Sequence, residues 1–379
     1  MFKRTEESGL TSWFFEIDRR LLYMVLLMIG IGMFFAVSAG SVAAERIHES
    51  WYYFIVKALP FCGIGLVALF VTSLLNKKII LGLSVANVVI GFVLLAITVA
   101  APHVIKGSAR FVTIGPFNIL PADIMKPGFI MLTAWFLAEM HHRFGDRLFV
   151  AKDAWKLRWF SWWSYFILFI PLLIRILTHP DVGSSLLYLG VLVAMLLMAG
   201  LSWIGFGGIC AAACGILVFA YHTIPHAHRR IETFLTGDGD NFQVTQSVQS
   251  IQHGGLFGSG DDAFIKQSLP DAHTDFIYAA IVEDMGALMA CLLLALLIYV
   301  LKLLITDALN ARDKFVFYAV GGTAALFGIQ SCINLISTLH LFAPKGMTLP
   351  FISYGGSSLV GFCILFGMVL AIVREDKWK

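Results

Sequence analysis

Apolar residues in this chain come in long unbroken blocks separated by short polar segments. A run of about 20 apolar residues is what crosses the hydrocarbon core of a bilayer as a helix. Ten such runs can be drawn, at 20–44, 51–75, 79–101, 123–140, 159–177, 184–200, 203–222, 276–302, 315–340 and 351–373. Only Gly200, Leu201 and Ser202 punctuate the boundary between the sixth and seventh. The pattern predicts an all-α polytopic membrane protein of about ten transmembrane helices, folded as one unit over residues 1–379. One connection, 223–275 between the seventh and eighth runs, is much longer than the others. Its mixture of apolar and polar positions, with few low-complexity features, predicts an ordered, functional loop.

Composition agrees: 59% of the 379 residues are hydrophobic and 13% charged, too little polar surface for a soluble protein of this size. The net charge of +3 and the lack of a basic stripe interleaved with aromatics argue against nucleic acid as a partner. All six cysteines fall in apolar runs and read as small core residues, not as disulfides or zinc ligands. The first run follows Arg19 and Arg20 and is too long for the core of a signal peptide, so it reads as a retained helix. With residues 1–19 and 374–379 placed in the cytoplasm, seventeen lysines and arginines fall on the inner side and seven on the outer. That asymmetry predicts cytoplasmic termini and an extracytoplasmic 223–275 loop.

Titratable residues inside such a chain are costly and point to chemistry or to pairing. The stretch "LPDAHTDFIYAAIVEDMG" (269–286) starts like a loop and continues as an apolar segment, yet carries His273, Asp275, Glu283 and Asp284. Asp275 stands where the eighth helix begins. It reads either as an N-cap, accepting the free amides of the first turn, or as a carboxylate base at the membrane surface. His273, two residues earlier, could orient a partner or be solvated. Glu283 lies about 12 Å further along the helix. Lys57, Lys126 and Arg175 are the cations inside other apolar runs and could neutralise it, either as a structural ion pair or along a polar pathway.

Further polar clusters lie toward the outer side. "KGSARFVTIGPFNILPADIMKP" (106–127) carries Arg110 and the i, i+3 pair Asp123/Lys126, and "HPDVGSS" (179–185) carries Asp181 and Ser184. "APKGMTLPFISYGGSSL" (343–359) carries Lys345, and its glycines and hydroxyls suggest a close-packed or broken helix without direct chemistry. "GGLFGSG" (254–260) has the glycines of a phosphate loop but no following Gly-Lys-Ser/Thr. "HTIPHAH" (222–228) has three histidines, but Pro225 interrupts any helical ligand face.

Taken together, "RRIETF", "GGLFGSG", "LPDAHTDFIYAAIVEDMG", Gln330 with Asn334, and "GMTLPFISYGGSS" occur in an order that resembles the shape, elongation, division and sporulation (SEDS) family of FtsW/RodA type. "LPDAHTDF" and "TLPFISYGGSS" are more similar to the FtsW, division-site branch. Leu120-Pro121-Ala122-Asp123 stands where the family often has Gln-Pro-Ser-Glu, so that Asp123 takes the place of the Glu. "GDGDNFQ" is shorter than the usual family loop and lacks its proline.

The resemblance implies a ten-helix fold in the bacterial cytoplasmic membrane and a peptidoglycan glycosyltransferase that polymerises lipid II at the outer face, in septal wall synthesis. It maps the family's essential acid onto Asp275. It also implies a class B penicillin-binding transpeptidase as partner, among other divisome membrane proteins. In that mechanism the leaving pyrophosphate calls for cations. Arg110, Arg229, Arg230, Lys266 and Lys345 are the outside candidates, with His273 beside them. A divalent cation, Mg or Mn, could share the task, although no ligand cluster demands one. The rival readings are a lipid II flippase, supported by Lys57, Lys126, Arg175 and Glu283, and a non-catalytic divisome scaffold. No internal repeat supports a transporter.

Overall fold

The structure, a computed structural model, describes residues 9–46, 48–50, 52–100, 111–115, 117–145, 182–223, 242–341 and 346–378. Twelve α-helices fall in these segments. They are α1 (Gly9–Glu16), α2 (Arg19–Arg46), α3 (Tyr53–Leu74), α4 (Lys77–Ala100), α5 (Pro121–Phe144), α6 (Val182–Met198), α7 (Trp203–Thr223), α8 (Phe242–Gly254), α9 (Ile265–Ser268), α10 (Ile277–Leu309), α11 (Lys314–Thr338) and α12 (Gly356–Trp378). Six of them, α2, α3, α4, α10, α11 and α12, contain stretches long and apolar enough to cross a bilayer. The expected run at 159–177 lies outside the described residues. A short hairpin of β1 (Val112–Ile114) and β2 (Phe117–Ile119), paired antiparallel, precedes α5; the sequence reading had no strands there.

The centre of the bundle is α12. It packs against α3, α5 and α11, and Phe362, Phe366 and Met368 on it are fully buried. Helix α5 is buried along most of its length although Pro127 interrupts its ladder. Asn87 of α4 repairs the interruption: its Nδ2 donates to the Ile124 carbonyl at 2.9 Å and its Oδ1 accepts from the Gly128 amide at 3.0 Å. A neighbouring helix thus satisfies the backbone that proline frees.

Helix α10 is two helices joined at a kink. Gly286 interrupts it with φ 84° and ψ 174°, a left-handed conformation open to glycine. The N-terminal part, 277–283, is buried at every position but Tyr278, whereas Leu288, Leu292 and Ile298 of the longer C-terminal part are exposed. Helix lengths explain the break. The turn 310–313 joins α10 to α11. Twenty residues, about 30 Å of helix, lead from Lys314 up to Asn334. A straight α10 of 33 residues would rise about 50 Å, yet Asn334 hydrogen-bonds to Asp275 just before it. The part of α10 before Gly286 therefore leaves the line of the longer part.

At the opposite end, the last turns of α12 tie together several loops. Lys377 bonds Asp18 at 3.2 Å and Asp307 at 3.0 Å. Arg374 donates to the Leu74 carbonyl, and Asp376 accepts from the amides of Arg312 and Asp313. Asp313 caps α11 and pairs with Lys77. Burial pushes the Asp18 carboxyl up, but the Leu21 amide and Lys377 outweigh it and hold the pKa below the usual value of 3.8. Burial likewise opposes, and Lys77 with the Phe315 amide overcomes it, at Asp313. Both acids have lowered folded pKa values. The stability they contribute is therefore complete above the unfolded carboxylate range and is lost as pH falls through the folded values. Thermal melts of detergent-solubilised protein should show a steeper loss below about pH 4 for the parent than for Asp18→Asn; equal slopes would remove this role from Asp18.

Candidate functional site

The residues around the end of α11 and the start of α10 form a connected polar layer inside an apolar bundle. It begins on α5. Lys126, buried, donates to Asp123 Oδ1 at 2.7 Å, one turn earlier, and to Gln330 Oε1 of α11 at 2.8 Å. Ser357, in the first turn of α12, donates to Asp123 Oδ2 at 3.0 Å. Gln330 Nε2 donates to the Thr348 carbonyl at 2.8 Å, and the Thr348 hydroxyl donates to Ser358 at 2.9 Å. One turn above Gln330 stands Asn334, with no solvent exposure. Its Nδ2 bridges the carbonyls of Asp275 at 2.9 Å and Met347 at 2.6 Å. Four segments that are remote in sequence are thus bonded to one another in one layer.

Asp275 is half-buried at the end of this layer. It does not occupy the N-cap of α10. That position is Phe276 and the helix begins at Ile277, so the capping reading of Asp275 does not hold. Gly346 lies against the carboxylate: a Cβ built there would stand 2.2 Å from Asp275 Oδ2. His273 is buried, not solvated. Its ring packs 4.4 Å from Phe54 of α3 and 5.5 Å from Tyr354, whose amide donates to the His273 carbonyl. Burial, with Tyr53 nearby, pushes the Tyr354 phenol up to about 12, so it stays protonated. One turn below Phe54, the Lys57 ammonium bonds the Tyr53 hydroxyl at 2.5 Å and has no carboxylate partner among the described residues.

The Gly346 contact yields a specific expectation. The atom that an added methyl would strike is the far end of a flexible side chain, so Gly346→Ala should fold normally and displace the carboxylate. A displacement of about 1 Å at a reacting group can cost on the order of 100-fold in rate. Turnover should fall at least tenfold with the melting temperature unchanged. Parental turnover in a stable variant would show that the placement of the Asp275 side chain is immaterial.

Two sequence-based expectations are corrected here. Glu283 is fully buried but is not paired with Lys126, which belongs to Asp123. Its carboxylate accepts from the amides of Ile265 at 2.8 Å and Lys266 at 2.7 Å and from the Ser250 hydroxyl, and it lies 3.2 Å from His253 Nδ1. The free amides at the start of α9, with Ser250 and His253 of α8, take the place of Lys126; Arg175, the other expected cation, lies outside the described residues. Lys266, one of the candidate cations for the pyrophosphate, is buried. Its ammonium pairs with Asp284, which also accepts from Ser38 of α2 at 2.6 Å. The glycines of "GGLFGSG" serve close approach, not phosphate: a Cβ at Gly254 or Gly258 would collide with the backbone of α10 at Val282 or Asp284.

Arg110, Arg175, Arg229, Arg230 and Lys345 lie outside the described residues, as do most of "HTIPHAH" and Asp181. Among the described residues no three His, Cys, Asp or Glu stand together to hold a metal ion. Gln330, Asn334, Thr348 and Ser357 carried no role in the sequence reading, although the i, i+4 spacing of Gln330 and Asn334 on an apolar helix was a usable signal.

Comparison with known proteins extends over the whole bundle. The chain is 34% identical to the probable peptidoglycan glycosyltransferase FtsW of Caulobacter vibrioides, covering 99% of this chain and 93% of that one. Solved structures share its fold, among them the following two. One is a chain from a study of how a peptidoglycan synthase complex coordinates polymerization and crosslinking (TM-score 0.77, 22% identity, 96% of this chain and 99% of that chain). The other is the rod shape determining protein RodA of Thermus thermophilus (TM-score 0.67, 22% identity, 95% and 97%). The profile of the FtsW/RodA/SpoVE cell cycle proteins matches residues 19–378, and the chain belongs to that family.

Proposed function

We propose that this protein is a peptidoglycan glycosyltransferase of the cytoplasmic membrane that extends glycan strands from lipid II, with Asp275 as its general base. The observation that supports this reading most is the setting of Asp275: Asn334 holds its backbone and Gly346 leaves room for its carboxylate. Both sugar substrates are lipid-linked, so their reacting atoms meet at the outer membrane surface. In this reading the termini are cytoplasmic and 223–275 is extracytoplasmic. Asp275 then stands about 30 Å above the inner ends of the helices, by the length of α11 between Lys314 and Asn334.

In the reaction, Asp275 takes the proton of the acceptor sugar's 4-hydroxyl. The freed oxygen forms the new glycosidic bond at the donor's anomeric carbon. The bond from that carbon to the pyrophosphate oxygen breaks, and undecaprenyl pyrophosphate departs with the charge. Cations near the leaving group stabilise it. Arg110, Arg229, Arg230 and Lys345 remain candidates, and Lys57 joins them because no described carboxylate engages it. Lys266 leaves the set, since Asp284 already neutralises it. A divalent cation could add to this charge. The partner is a class B penicillin-binding transpeptidase, and the relatives named FtsW favour a septal role in cell division.

Purified protein reconstituted with lipid II, alone and with the transpeptidase, tests the reading. Glycan polymer is the expected product. Headgroup translocation without polymer would replace it with a flippase, and neither activity would leave a scaffold.

A further inference from the structure

The break at Gly286 creates a problem that the 254–258 turn solves. The longer part of α10, 287–309, is a helix of its own, and its first amides have no acceptor in a preceding turn. Carbonyls of the turn take that place: Ala287 donates to Gly255 at 2.9 Å and Leu288 to Leu256 at 3.3 Å. In the reverse direction, the Ser259 amide donates to the Glu283 carbonyl at 2.8 Å. The turn's own backbone is closed by Gly258 donating to Gly254 at 2.7 Å. The carbonyls of Gly254, Gly255 and Leu256 are thus all bonded, as backbone in a hydrocarbon setting must be.

The side chains of the turn point away from the protein. Leu256 is 65% exposed and Phe257 80%. Directly below, on the longer part of α10, Leu288 is 57% and Leu292 62% exposed. These belong to the lipid-facing side of the span. Residues 287–309 give about 34 Å of helix, close to the 30 Å thickness of a hydrocarbon core. Ala287 and the turn bonded to it therefore sit at the outer edge of that core, and Leu256 and Phe257 continue the apolar strip of α10 upward.

We propose that the 254–258 turn is a membrane-seated cap on the broken helix, with Leu256 and Phe257 inserted among the acyl chains of the outer leaflet. The occupant is phospholipid, because the patch is continuous with the lipid-facing strip and the carbonyls of Gly254, Gly255 and Leu256 are bonded within the protein. The cap fixes the depth of the segment that supplies Ser250, His253 and the 265–266 amides to Glu283. It thereby sets the height of the part of α10 before Gly286.

Site-directed spin labelling in nanodiscs tests this directly. With the six native cysteines replaced, labels are placed singly at Phe257, at Leu292 as a lipid reference and at the exposed Gln267 as an aqueous reference. Label 257 should be readily relaxed by oxygen and poorly by a water-soluble nickel chelate, as label 292 is and label 267 is not. Relaxation like that of label 267 would place the turn in water and overturn the proposal. Protection from both reagents would mean that protein covers the patch, which also overturns it. Should the cysteine-free protein not fold, Phe257→Trp in the native chain gives a second measurement. Lipids brominated near the headgroup should quench more of its fluorescence than of the parent's, and an unchanged quenched fraction would count against insertion.

Discussion

Asp275→Asn should abolish glycan polymerisation while leaving the fold and the partner complex intact. A positioned general base contributes about 100- to 10,000-fold in rate, equivalent to roughly 3–5 kcal/mol of barrier. The structural side effects of this swap are small for identifiable reasons. The N-cap of α10 is Phe276, so no helix cap is lost. Asn334 bonds the backbone carbonyl of Asp275, which the substitution keeps. Asn has the size of Asp and fits the space beside Gly346. The measurement is polymer formed from purified lipid II, alongside thermal stability and co-purification with the transpeptidase. Activity within a few-fold of the parent would reject Asp275 as the base. Activity and stability lost together would make it a structural residue.

Lys126→Met should produce the largest loss of stability. It leaves the Asp123 carboxylate buried with only the Ser357 hydroxyl, and it strips the donor from Gln330 Oε1. Removing one partner of a buried ion pair costs about 3–5 kcal/mol, because the remaining charge has neither water nor counterion. The cost should be largely reversed by adding Asp123→Asn, which removes the stranded charge. Unfolding in detergent, followed by the four chains of this double-mutant cycle, reads out the coupling. A single-variant loss below about 1 kcal/mol, the range of exposed pairs, would show that water reaches the pair and that the polar layer is open there.

What could be read from the letters follows their physics. Apolar runs are dictated by bilayer thickness, so nine of the ten expected runs coincide with α2 to α7 and α10 to α12 to within a few residues at most ends, and the tenth lies outside the described residues. The Asp123/Lys126 pair was legible because two charges at i, i+3 share a helix face. Glu283 was misread because half of its partners are backbone amides, which every sequence position carries and none advertises. Lys266 looked like a loop cation, and only the fold brings Asp284 to it. The break at Gly286 was hidden too: one glycine in an apolar run reads equally well as ordinary helix. Asn334 was visible as part of a motif, but its task of joining Asp275 to Met347 depends on two loops whose approach no spacing reveals.

The central position of α12 has a consequence for how the chain is made. Among the described helices it is the last to be synthesised, yet α3, α5 and α11 pack against it. Chains are built from the N-terminus at about 5–20 residues per second, so the earlier spans wait in the bilayer around an axis that does not yet exist. During that interval Asp123 lacks Ser357, and the turns later joined by Arg374, Asp376 and Lys377 stay separate. Nascent chains and chains terminated before α12 therefore share one defect, an unfilled place beside α3, α5 and α11, which is the form that membrane proteases and insertion chaperones would encounter.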